Sequence, residues 1–128
     1  MKTVAQFSER RHSTRFKVQG MVIAVARPLS LPPGSVKEVS QTGLIFIYRQ
    51  IGNNWAVPQS LDIIWADTIN THHLENLPVR TVSDVLIEPE GKPNKSVIRQ
   101  FAVAFKNLTP HQKNQIGRLI EGRGATKM

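Results

Sequence analysis

Arg11-His12-Ser13-Thr14-Arg15 sets two arginines four residues apart, with Arg10 beside the first. Guanidinium groups grip anionic oxygens through paired N–H donors and also lie flat against aromatic bases. A second stretch, Glu38-Val39-Ser40-Gln41-Thr42-Gly43, brings an acid, a hydroxyl and a glycine close together. Taken singly, each has an ordinary structural explanation. The first reads as a solvated basic arm, the second as a hairpin whose serine bonds its own turn.

Catalytic chemistry finds little footing. Of the four histidines, His12, His72, His73 and His111, none falls in an H-E-x-x-H arrangement or beside a nucleophile elbow. His72-His73 offers two metal-ligand types, but neighbours on a strand point to opposite faces, which favours a polar turn. Gly117 to Gly124 has the outline of a phosphate loop, yet Arg123 stands where the lysine belongs and the segment closes a helix instead of opening one. Asp62, Asp67, Asp84, Glu88 and Glu90 are spread over three segments without a recognisable pairing. With no cysteine, disulfides, thiolate zinc sites, iron–sulfur clusters and thiol nucleophiles are excluded together. The expectation is a chain that binds and does not catalyse, with no cofactor and no metal.

The elements that must carry these residues are mostly strands. Residues 1–15 read as a flexible basic arm. Phe16 to Gln19 alternates apolar and polar, and Met21 to Ala26 continues as a better covered strand until Pro28, Pro32, Pro33 and Gly34 turn the chain. Ser35 to Ser40 and Leu44 to Arg49 form a hairpin across Gln41-Thr42-Gly43, although Glu38 sits where alternation through Val36 predicts an apolar residue. Leu61 to Trp65, Val79 to Ile87 and Val97 to Phe105 complete the set, the last with Phe101, Val103 and Phe105 on one face and Gln100, Ala102 and Ala104 on the other. Thr109-Pro110-His111-Gln112 then starts a helix with a capping box, and Ile116, Leu119 and Ile120 give it one apolar stripe up to Gly122. The sequence therefore predicts a mainly β, six-stranded antiparallel barrel over 16–108, a carboxyl-terminal helix over 109–122 and a loose tail over 123–128, in one domain spanning 1–128.

Seventeen Lys and Arg against nine Asp and Glu leave a formal charge of +8 on 128 residues. That surplus points to an anionic partner without naming it. A single core is feasible at this length, while (β/α)₈ barrels of ~250 residues are excluded. The amino-terminal residues lack the apolar region of a secretory signal, and the runs Met21 to Ala26 and Leu44 to Tyr48 fall short of the ~20 residues that span a bilayer. A cytoplasmic protein without membrane insertion is expected.

Together, in this order and one strand-and-turn apart, R-x-x-x-R and E-x-S-x-x-G resemble the signature of the PilZ domain family, bacterial receptors for cyclic di-GMP. Arg15-Phe16-Lys17-Val18 is similar to the family's entry into its first strand, and Phe101 to Pro110 to its last strand running into a carboxyl-terminal helix. The resemblance implies a six-stranded antiparallel barrel with a flanking helix, which agrees with the reading of the elements. It implies a cyclic di-GMP site built from Arg10, Arg11, Arg15, Glu38, Ser40 and Gly43. Arg11 and Arg15 would take the paired arginine roles, with Arg10 as a third contact. Ser40 would bond the guanine or a phosphate, and Gly43 would let the backbone turn tightly and approach the ligand. Position 38 departs from the family's Asp or Asn: Glu38 keeps the acceptor needed for guanine N1–H and N2–H₂ but carries it one methylene farther out.

The chemistry suits such a ligand. Arginine forks match phosphate oxygens and guanine O6 and N7, at roughly 1.5–3 kcal/mol for each charge-assisted bond. Ligand binding would gather the arm against the barrel and alter the surface shown to a downstream protein, in motility, biofilm or secretion control. Two other readings remain. One is a PilZ-like interaction module that takes no nucleotide, with Trp55 either a contact or a plug at one end of the barrel. The other is a small basic barrel binding RNA or single-stranded DNA. At 6% aromatic residues, with Phe101 and Phe105 assigned to the core, nucleic acid is disfavoured.

Overall fold

Alternation along Val22–Arg27 buries Val22, Ala24 and Ala26 and turns Ile23, Val25 and Arg27 outward, as period-2 geometry requires. The same logic builds the other strands of the computed structural model, which describes residues 14–27, 32–51, 57–67, 69–87 and 96–127. In chain order these are β1 (Phe16–Val18), β2 (Val22–Arg27), β3 (Gly34–Val39), β4 (Gly43–Ile51), β5 (Ser60–Ala66), β6 (Thr71–Ile87), β7 (Ser96–Phe105), α1 (Pro110–Arg123) and β8 (Gly124–Lys127). Arg10, Arg11, His12, Trp55, Glu88 and Glu90 lie outside the described residues.

Every pairing is antiparallel. The order β2-β5-β6-β7-β4-β3 closes on itself through a β2–β3 pairing at Ile23↔Ser35 and Ala24↔Gly34. This is the expected six-stranded barrel. Inside it Phe46, Tyr48 and Phe101 stack at centroid distances of 5.6–6.4 Å, alongside fully buried Leu61, Ile63 and Leu77. Burial of each such side chain contributes about 1.5–3 kcal/mol. Gly34 permits the close approach that closure needs, since a Cβ there would lie 2.6 Å from the Ile47 carbonyl oxygen.

Three local features depart from simple alternation. The first expected strand is cut in two, because Gly20 takes a left-handed φ of 80° between β1 and β2. In β3, Lys37 is an extra residue, with Val36 opposite Phe46 and Glu38 opposite Ile45. This bulge explains Glu38: Val36 and Val39 both face the core, while Glu38 is turned outward. β6 begins at Thr71, not Val79, so His72-His73 lies in a strand, not in a polar turn. An extra residue opposite Asp62 disturbs the β5–β6 register, and Asn76 there adopts a φ of 56°.

The helix starts as the capping box predicts. Thr109 Oγ1 accepts from the Gln112 N–H at 3.0 Å, and Gln112 Oε1 accepts from the Thr109 N–H at 3.0 Å. Ile116 and Leu119 are fully buried against the barrel. The tail, expected to be loose, instead forms β8 and pairs with β1. Gly-Ala-Thr-Lys has no periodicity of its own, and the partner edge of β1 supplies its hydrogen bonds.

Candidate functional site

Two parts of the chain far apart in sequence meet on the outer wall of the barrel. β1 lies on β3 with Phe16 opposite Val39 and Lys17 opposite Glu38. This register carries Arg15, the residue before β1, to Glu38: Arg15 Nη1 is 3.4 Å from Glu38 Oε1, with the side chains 42% and 22% exposed. A single contact this exposed to water contributes at most about 1 kcal/mol. Arg15 is therefore oriented but not locked.

The hairpin beside it is held by Ser40. Its hydroxyl oxygen accepts from the backbone N–H of Thr42 at 3.1 Å and of Gly43 at 3.2 Å. Its proton has the Gly43 carbonyl and the Thr42 hydroxyl within 3.3 Å. The Ser40 N–H donates to the Gly43 carbonyl at 2.8 Å. In this structure Ser40 is buried and serves its own turn. Gly43 has a reason of its own, since a Cβ would collide with the Val103 carbonyl oxygen of β7. The positive-φ turn residue is not here, so Gly43 is required by strand packing.

Of the residues singled out in the sequence, the structure thus brings Arg15, Glu38, Ser40 and Gly43 to one corner. Sequence reasoning missed the surface beside them. Glu38, Ile45, Ala102 and Ser83 form one cross-strand row, with half-buried Ala104 and Gln100 on the flanking rows. The alternation of Phe101, Val103 and Phe105 already marked Ala102 and Ala104 as outward. Only pairing with β4 shows that they adjoin Glu38. Ile45, Ala102 and Ala104 thus place partly exposed apolar side chains beside an acid and an arginine.

A second polar cluster lies between β2, β5 and β6. Arg27 grips Asp62 through Nη2 at 2.9 Å and Nε at 3.4 Å. The Asn76 N–H donates to Asp62 at 3.0 Å, and His73 Nε2 lies 3.3 Å away. Burial pushes the Asp62 carboxyl up, but the bonds from Arg27, Asn76 and His73 and the Arg27 charge outweigh it, so its pKa is lowered. His72 turns to the other side, stacks on Trp65 at 4.9 Å and meets Asp67 Oδ2 at 2.9 Å. The Asn70 N–H, the His72 ring and the Ile69 N–H hold the Asp67 carboxyl far below the usual range. The two adjacent histidines therefore serve different carboxylates. A cleft of about 300 Å³ between this turn and the end of α1 is lined by Trp65, Asp67, His72, Arg118, Glu121 and Gly122.

At the opposite rim Arg99 makes a fork to Asp84, at 2.9 and 3.2 Å, and reaches Gln50. Burial raises the Tyr48 phenol pKa below it. Among the described residues, no helix is long and apolar enough to cross a membrane.

No family model and no curated protein matches the chain. Among solved structures, the fold is similar to the PilZ domain with c-di-GMP of YcgR from Escherichia coli, with a TM-score of 0.65 at 12% identity, covering 88% of this chain and 90% of that one. The barrel with its carboxyl-terminal helix is the PilZ fold.

Proposed function

We propose that the protein is a non-enzymatic, cytoplasmic receptor for cyclic di-GMP. The observation that carries this reading is the meeting of Arg15 with Glu38 beside the Ser40–Gly43 hairpin, on a barrel of the PilZ fold. The solved domain of similar fold holds c-di-GMP. Arg15, with Arg10 and Arg11 from the preceding arm, supplies forks for phosphate and for the guanine Hoogsteen edge. Glu38 accepts from guanine N1–H and N2–H₂. Ser40 and Gly43 hold the hairpin in shape, and the partly exposed Ile45 and Ala102 offer apolar contact for a base. Two or three arginine forks, each of two charge-assisted bonds at roughly 1.5–3 kcal/mol, suffice for micromolar affinity, about −8 kcal/mol. Binding gathers the arm against the barrel and changes the surface presented to a downstream protein, in motility, biofilm or secretion control.

Calorimetric titration with cyclic di-GMP at ~150 mM salt tests this, with cyclic di-AMP and GTP beside it. Saturable heat from cyclic di-GMP alone, with affinity weakened about 30-fold in Arg15→Ala, is the expected result. Amide exchange over residues 6–15 should slow on binding. A second reading, an interaction module that takes no nucleotide, draws support from Arg15 being paired already with Glu38 and from Ser40 being engaged by its turn. Absence of heat with every nucleotide would favour it. The nucleic-acid reading loses its stacking surface, since none of the exposed large apolar side chains among the described residues is aromatic.

A further inference from the structure

β1 is three residues long and shares two pairs with β3. The ladder stops at the Lys37 bulge, and the chain turns at Gly20 into β2, which pairs with β3 farther along at Ser35 and Gly34. A strand held by so short a ladder is marginal by itself. Its other edge is taken by β8, with Phe16 opposite Lys127, Lys17 opposite Thr126 and Val18 opposite Gly124. β8 thereby converts β1 from an edge strand into an inner one. β8 in turn follows α1 without a break, and α1 packs on both strands. Buried Ile116 and Leu119 tie the helix to the barrel. The anchoring thus runs from the barrel through α1 to β8, and from β8 to β1. Arg15 stands at the end of that series and reaches Glu38 only while β1 keeps its register on β3.

We propose that the carboxyl-terminal strand β8 is a positioning element of the nucleotide site: it holds β1 in register and so presents Arg15 to the ligand. This rests on the cyclic di-GMP reading above. Apparent affinity scales with the fraction of chains in which β1 is docked, so loosening β8 weakens binding without removing any ligand contact. The coupling is reciprocal. A ligand that grips Arg15 tightens β8, and occupancy of the site is reported at the far end of the chain.

The test compares the wild type with a chain ending at Arg123 and with the variant Ala125→Gly/Thr126→Gly. The second variant keeps Lys127, which separates loss of strand pairing from loss of a positive charge. It also serves if the shortened chain does not unfold cooperatively. The expected result is cyclic di-GMP binding weakened about tenfold by truncation and less by the glycine pair, as the docked fraction falls. In the ligand-free variants the Lys17 and Val18 amides should exchange faster. In the wild type, saturating cyclic di-GMP should slow exchange over residues 124–127. Wild-type binding that both variants retain in full overturns this inference and leaves the receptor reading standing. A wild type that binds no cyclic di-GMP overturns both.

Discussion

Two of the arginine–carboxylate pairs on the barrel wall, Arg27–Asp62 and Arg15–Glu38, are built differently. Asp62 is a buried hub, its side chain 6% exposed, gripped twice by Arg27 and bonded by the Asn76 N–H and the His73 ring. Glu38 is 22% exposed and meets Arg15 once, at 3.4 Å. A buried carboxylate is tolerated only when its lone pairs are satisfied, and this requirement makes the Asp62 cluster part of the fold. The Arg15–Glu38 pair is under no such constraint. Either partner can exchange the other for a ligand group at little cost, as the binding corner proposed above requires. The contrast shows that bond count and exposure, not the presence of an ion pair, separate a structural site from an available one.

Asp62→Ala should have the largest effect. It strips the Asn76 N–H, His73 and Arg27 of their common acceptor and is expected to destabilise the fold by about 3 kcal/mol, read from the urea midpoint. A loss under 1 kcal/mol would break the distinction between the two pairs. Next comes Arg15→Ala, which should lower cyclic di-GMP affinity by about 2 kcal/mol, some 30-fold, in calorimetry while leaving the urea midpoint nearly unchanged.

Acid should act on the first cluster. The folded-state pKa of Asp62 lies below its ordinary value of 3.8, so its contribution is present above that value and is lost as pH falls beneath it. Stability measured from pH 6 downward should therefore fall more steeply in the wild type than in Asp62→Asn. Equal slopes would place the acid sensitivity elsewhere. The smallest expected effect is that of Glu38→Gln, which should change stability by less than about 0.5 kcal/mol. A larger loss in urea denaturation would mean that Glu38 belongs to the fold as Asp62 does.

Much of this was legible in residue order. The alternation in Phe101 to Phe105 marked the inner face correctly, and Thr109 and Gln112 announced the helix start that their reciprocal bonds confirm. The Arg15 and Glu38 candidates were visible as residue types, and their meeting agrees with the order of the two stretches. The Asp62 cluster was not visible. Its donors come from β2 and from both sides of a register shift in β6, and no spacing in the sequence encodes a contact across three strands. The bulge at Lys37 could be suspected only from the misplaced polarity of Glu38.

Local order alone, then, determined which residues could form strands, where the helix begins, and that the chain is strongly cationic. Periodicity, capping and charge are properties of neighbouring residues, so they are present before folding. The tertiary structure alone decided that Gly20 splits the first strand, that Ser40 bonds inward to its turn, that Gly43 must clear Val103, and that β8 returns to clamp β1. These follow from hydrogen bonds and close approaches between segments far apart in the chain, and such partners are chosen only when the barrel closes.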